Sequence, residues 1–319
     1  MLKIKKINNQ TICDAAKELE KGKLISFPTE TVYGLGADAT NNQAVAKIFS
    51  TKERPSFNPL IVHVYSVEQA KKIAVFNKKI DKLTEKFWPG PLTIILERLK
   101  DTEISLLVSA GLNTVALRQP NNEIALNLIK EFKKPIAAPS ANKFGLLSPT
   151  SALHVKKQFK GDNDISFIID GGKTKIGIES TVIGLNIENE IIIYRHGGIT
   201  KEEIQETISE EIFEFTDNSK NNEGRISPGL IKKHYAPKVP LKINMLKSSK
   251  NEIFIGFGPK YGEPNLSKTG NLNEAAANLF FLLEKYENEE KSICVAPIPN
   301  EGIGVAINDR LKRATFMLS

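Results

Sequence analysis

The chain has 319 residues, 40% hydrophobic and 25% charged, with 44 Lys plus Arg against 37 Asp plus Glu for a net charge of +7. That is ordinary globular composition, which excludes disorder, collagen and coiled coil for the chain as a whole and leaves room for two domains. No run of about 18 apolar residues exists, residues 1–23 lack a signal-peptide core, and Cys13 and Cys294 form no CxxC, so a cytoplasmic protein without membrane spans or a disulfide scaffold is expected.

In chain order, LISF (24–27), LIVHV (60–64), LTIIL (92–96), TVALR (114–118), FIID (167–170), TVIGL (181–185) and IIIYR (191–195) read as strands. Ile and Val dominate them, and Gly, Pro or Asn bounds most. Between them, 11–21, 41–51, 66–73, 79–87, 122–132 and 150–159 carry helical apolar spacing. Interleaved strands and helices predict one α/β domain on a twisted sheet. Residues 201–212 read as a short acidic helix, 216–225 as a flexible connection, and 226–241, with three prolines, as an extended irregular stretch. A strand at 251–259, a helix at 272–288 capped by Asn271 or Asn273, a strand at 292–299 and a helix at 304–316 predict a small Rossmann-like α/β appendix. The expected division is 1–205, a linker or lid at 206–241, and 242–319.

Residues 201–225 hold eight acids and three bases, −5, which leaves +12 for the rest of the chain. An excess of that size suits an anionic ligand such as a nucleotide or RNA, and equally a Lys-rich solvated surface.

Several segments carry candidate chemistry. FPTETVYGLGADA (27–39) places Thr29, Thr31 and Tyr33 on one short turn, and Gly34 and Gly36 allow close backbone approach. Its loose G-x-G-x-x-A is a weak dinucleotide signal, and a plain turn before a helix is the simpler reading. Lys52 and Arg54, on a segment stiffened by Pro55 and Pro59, form a natural phosphate clamp, although Lys-x-Arg pairs are common. His63 stands in an apolar strand, where a core role is the more frequent one. Arg118, at the end of a buried strand, suits a carboxylate bound bidentately. IAAPSANKFGLLSPT (136–150) offers Ser140, Asn142 and Ser148, and further on come Ser180 and Arg195. DGGKT (170–174) is not a Walker A, because Phe167 stands where its first glycine belongs, and the four histidines show no metal-ligand spacing. No nucleophile elbow occurs and no single acid–base constellation stands out.

Taken together, FPTETVYGLG, Lys52-x-Arg54-Pro55, NPLIVHV, WPGPLT, TVALRQP, PSAN, GIESTV and YRHGG resemble, in the same order, the YrdC-like threonylcarbamoyl-AMP synthases over about residues 9–205. The stretch S-P-G-x-x-x-x-H-Y-A-P (227–237) and the tail G-x-G-x-A-I-x-D-R-L-x-R-A (302–314) resemble the long, two-domain form. The resemblance implies a twisted mixed sheet with a concave, positively charged cavity. It implies synthesis of threonylcarbamoyl-AMP and pyrophosphate from L-threonine, bicarbonate or carbon dioxide, and ATP with magnesium. A separate transferase complex would then modify tRNA at the adenosine beside the anticodon. It also implies roles. Lys52, Arg54 and Arg195 would hold the triphosphate, with Lys52 and Arg54 as the catalytic pair. Asn58, Thr114, Ser140, Asn142, Ser148 and Tyr235 would line the nucleotide. Thr31, His63, Arg118, Ala138 and Ser180 would hold threonine, with Arg118 on its carboxylate. The Pro-rich stretch would fold over the cavity as a lid. An RNA-binding or regulatory module on the same fold is the alternative, with few aromatic platforms to favour it. A carbamoyl-transfer domain of hydrogenase maturation would need Cys pairs that are missing here.

Overall fold

The computed structural model describes residues 2–216, 234–289 and 291–315. The chain starts with β1 (Lys3–Lys6), α1 (Asn9–Glu20), β2 (Leu24–Phe27), β3 (Gly34–Asp38), α2 (Asn42–Lys52) and β4 (Ile61–His63). Then come α3 (Val67–Lys71), α4 (Lys78–Phe87), β5 (Leu92–Glu97), β6 (Thr114–Arg118), α5 (Glu123–Phe132) and β7 (Ile136–Ala137). Next are α6 (Ala152–Gln158), β8 (Ile165–Asp170), β9 (Thr181–Leu185), β10 (Ile191–Arg195), α7 (Lys201–Ile208) and β11 (Phe213–Glu214). The last elements are β12 (Leu241–Lys242), β13 (Glu252–Ile255), α8 (Leu272–Tyr286), β14 (Ser292–Val295) and α9 (Ile303–Ala314).

Asparagine fixes many helix starts. Asn8, Asn41, Asn77, Asn122 and Asn271 each stand in extended conformation and accept a backbone N–H of the first turn that follows. Thr200 and Glu203 add a reciprocal capping box at α7.

An 11-stranded mixed sheet runs in the order β1-β8-β2-β3-β7-β4-β6-β5-β9-β10-β11. Every residue of β2 is buried, as expected for a largely apolar strand covered on both faces. One face takes α1 and α5, whose Leu19, Leu128 and Ile129 pack with Ile25, Phe27 and Ile169. The main core takes α2 and α4 through Val45, Ile48, Ile80 and Leu83. The C-terminal unit is a parallel three-stranded sheet, β12-β14-β13, with α8 and α9. Its core is continuous with Val32, Leu147 and Ile178 of the first unit.

All seven strands predicted for the first 200 residues form, and the large sheet contains others besides. The most instructive is β3, which the sequence presents as a turn. It pairs antiparallel with β2, Ile25 opposite Gly36. A Cβ on Gly36 would stand 2.6 Å from Phe27 Cε1 and 2.8 Å from Ile136 Cγ2. Close packing against the neighbouring strand therefore demands this glycine, and the dinucleotide reading of GLGADA fails. Of the expected linker, 217–233 lies outside the described residues.

Candidate active site

Strand register brings the site together. β4 and β6 are parallel, with His63 directly beside Arg118 at their carboxyl ends. β5 and β9 are also parallel, and β10 returns antiparallel to β9 with Arg195 opposite Val182. A cavity forms where these ends meet the 29–34 turn and the 138–140 loop. Its walls include Thr31, Arg54, His63, Arg118, Arg195 and Tyr235. Ala138, Ser140, Ser180, Glu179 and His234 complete the enclosure. It holds about 60 Å³, a few waters' worth of space and far less than a nucleotide occupies.

Three arginines face this space. Arg118 Nη2 donates to Glu30 Oε1 at 2.6 Å and to Thr31 Oγ1 at 3.0 Å, while its Nε reaches Gly90 O at 3.3 Å. The pair is buried, with Arg118 and Glu30 side chains 5% and 4% exposed. Arg195 donates from Nε to Ser180 O and from Nη2 to Ser180 Oγ, both at 3.1 Å. Ser180 Oγ also bonds Thr93 Oγ1 at 2.7 Å. Arg54 is half-buried and, among the described residues, donates only to backbone, Asn58 O at 3.1 Å and Pro59 O at 2.9 Å. Burial first, and then the Arg195 charge, pull Arg54 below the ordinary arginine value. Burial likewise lowers Arg195. Among the described residues neither Arg54 nor Arg195 has a carboxylate within 4.0 Å. Two cations are thus held close together without a paired anion from those residues, which suits a polyanionic ligand.

Lys52 is buried, 1% exposed, with its Nζ held by Ser140 O at 2.5 Å and by Asn142 O. Burial, then Arg54 and Lys143, hold it well below the ordinary lysine value. It ties α2 to the 139–142 loop and is not itself a wall of the cavity. Asn142 donates to Lys143 O and Leu146 O, and among the described residues its Oδ1, like that of Asn58, has no partner. Ser148 donates to Glu179. Thr114 is elsewhere. It begins β6, four residues from Arg118, and lines a separate depression beside Tyr194 and Glu97.

His63 is 3% exposed, its Nδ1 is without a partner among the described residues, and burial followed by Arg118 pulls it down to about 3. It is therefore a neutral ring at neutral pH, able to accept a hydrogen bond inside the cavity. A buried histidine in the wall of a cavity with one ring nitrogen unpartnered among the described residues is placed for ligand contact.

Tyr235 brings backbone strain to the wall. Its φ is +67, a left-handed conformation unusual for a bulky residue. Ala236 N donates to Gly145 O at 2.9 Å, and the Tyr235 ring stacks on Phe280 at 5.4 Å and meets His234 at 4.0 Å. Packing from both units holds the strain in place.

The sequence pointed to neither Glu179, a carboxylate of the wall, nor Glu30, which pairs with the wall residue Arg118. Both belong to the motifs FPTETV and GIESTV, in which an acid precedes a hydroxyl residue. Among the described residues, no cluster of three His, Cys, Asp or Glu could hold a metal, and no helix is long and apolar enough to cross a membrane.

Comparison with known proteins matches this geometry. The Sua5–YciO–YrdC family model, described as "Telomere recombination", matches residues 17–197, and the model for the threonylcarbamoyl-AMP synthase C-terminal domain matches 199–315. The threonylcarbamoyl-AMP synthase of Pyrococcus abyssi is 40% identical over 94% of this chain and 93% of its own length. That of Bacillus subtilis is 39% identical over 96% and 93%. The crystal structure of P. abyssi Sua5 complexed with L-threonine superposes with a TM-score of 0.87 at 35% identity, over 99% of this chain and 97% of that one. The chain therefore belongs to the threonylcarbamoyl-AMP synthase family, in its two-domain form.

Proposed function

We propose that this protein condenses L-threonine, bicarbonate or carbon dioxide, and ATP into threonylcarbamoyl-AMP and pyrophosphate. The observation that carries the reading is the convergence of Arg54, Arg118 and Arg195 on one cavity beside a neutral His63. The reaction joins a carboxylate-bearing amine, a carbonate and a triphosphate, so charge neutralisation and alignment are its main needs.

Threonine's neutral amine attacks the carbon of bicarbonate, with a C–O bond broken and water lost, or of carbon dioxide, with one amine proton passing to solvent, and either way forms the N–C bond of a carbamate. A carbamate oxygen then attacks the α-phosphorus, and pyrophosphate leaves with the electron pair of the broken P–O bond. Arg118 takes the threonine carboxylate, with Thr31, Ala138 and Ser180 around the amino acid and His63 accepting a hydrogen bond from it. Arg54 and Arg195 hold the phosphates. Lys52 fixes the Ser140–Asn142 loop from behind. Asn58, Asn142 and Ser148 bound the nucleotide side. Thr114 would join them only through movement of β6.

Magnesium does not fit a resident site here. Glu30 and Glu179 each pair with an arginine, and among the described residues Glu30 Oε2 alone is left without a partner, which is too few oxygens for an octahedral site of the protein's own. The ion belongs with ATP as its counter-ion.

The small cavity volume implies that substrates enter with His234 and Tyr235 displaced. Their return excludes water from a mixed anhydride that hydrolyses readily. A separate transferase then carries the threonylcarbamoyl group to tRNA in the cytoplasm.

The test is pyrophosphate release from Mg·ATP with threonine and bicarbonate omitted in turn. Release that needs both supports the reading. Release indifferent to threonine, or absent while RNA binds tightly, overturns it.

A further inference from the structure

The C-terminal unit places a fully buried arginine against the cavity wall. Arg310, on α9, is 0% exposed. Its Nε donates to Glu179 Oε2 at 3.0 Å and its Nη1 to Asp309 Oδ2 at 2.9 Å. Its guanidinium carbon lies 5.4 Å from the centre of the Tyr235 ring. Among the described residues its Nη2 is buried without a partner. Glu179 in turn accepts from Ser148.

One cation on α9 thus touches the tyrosine of the wall directly and reaches Ser148 through one carboxylate. The same segment of the first unit is gripped a second time. A Cβ on Gly177 would stand 2.5 Å from Ala277 Cα on α8. Backbone bonds from Ile176 N to Glu30 O and Gly177 N to Thr31 O then join this segment to the 29–34 turn.

We infer that Arg310 is a positioning residue for the nucleotide side of the cavity, holding Tyr235 and, through Glu179, Ser148 in the geometry that closes around bound ATP. This rests on the function proposed above. It gives the C-terminal unit a role in substrate binding, in which α9 completes the ATP site without touching the reacting atoms. The planar guanidinium suits that role, because its flat face can lie on a ring while donors fixed along its edge pair with two carboxylates, a geometry a point-charge ammonium matches less well.

The experiment is calorimetric titration of the full-length protein with ATP and separately with threonine, alongside steady-state kinetics. Arg310→Gln is expected to weaken ATP binding and raise the ATP KM at least tenfold, while the threonine KM moves less than threefold. Arg310→Lys should fall between Gln and wild type. If Arg310→Gln does not fold, the double variant Glu179→Gln, Arg310→Gln leaves no stranded charge, and the same selective loss of ATP affinity is expected of it. ATP binding as in wild type, or equal losses for ATP and threonine, would overturn the inference alone. A wild-type protein that binds no ATP would overturn the functional reading together with it.

Discussion

Replacing Arg54 with alanine should separate activity from stability. The side chain makes two hydrogen bonds, to Asn58 O and Pro59 O. Losing them leaves carbonyl groups less well satisfied, a cost of about 1–3 kcal/mol. Against that, the substitution removes a cation that burial and Arg195 both disfavour. The two effects oppose, so the net change in unfolding free energy should stay within about 1–2 kcal/mol. Catalysis has no such offset. Removing one preorganised charge opposite developing anionic charge costs about 3–4 kcal/mol, or about 10²–10³ in rate. Pyrophosphate release at saturating threonine and bicarbonate gives the first number, and urea unfolding the second. Activity within fivefold of wild type would refute the reasoning. So would a loss of activity explained by a matching loss of folded protein.

Lys52→Met should likewise abolish most activity while leaving stability within about 2 kcal/mol, because a buried lysine that bonds only carbonyls is disfavoured as a charge. A collapse in the urea midpoint would instead make Lys52 chiefly structural. His63 and His234 are both held down to about 3, first by burial. The unfolded chain then binds more protons between about pH 6.5 and 3, so stability falls as pH falls through that window, by about 2 kcal/mol per histidine at pH 5. Urea midpoints at pH 7.5 and 5.0 should converge in a His63→Asn, His234→Asn variant, and an unchanged gap would contradict the assignment. Gly177→Ala adds a Cβ 2.5 Å from Ala277 Cα at a φ of +78, whereas Gly172→Ala, at a φ of +75, meets nothing within 4 Å. The first should destabilise by about 2–4 kcal/mol and the second by about 1 kcal/mol. Equal effects in thermal melts would show that the contact with α8 is slack.

The apolar runs gave away the strands because the sheet is buried on both faces, so LISF and TVALR needed no alternating pattern. Elements without that signal were invisible. β1 is KIKK, and β7 is two residues long. β3 hides behind glycines whose reason, contact with Phe27 and Ile136, is tertiary. The site was legible where a motif ends a strand, as at His63, Arg118 and Arg195. It was less so where function depends on what a side chain already touches. Nothing in WPGPLT or TVALR says that Arg118 rests on Glu30, or that Lys52 is spent on two carbonyls. The bond from Arg310 to Glu179 spans 131 residues, and only the folded chain brings the two together.

Two distinct anion sites in one cavity, one for a triphosphate and one for an amino-acid carboxylate, are the centre of the proposed mechanism. Calorimetric titration of Arg54→Ala and Arg118→Ala with ATP and with threonine tests them most directly. Arg54→Ala is predicted to lose ATP binding and keep threonine, and Arg118→Ala to do the reverse. Variants that lose both ligands together, or neither, would contradict the two-site mechanism.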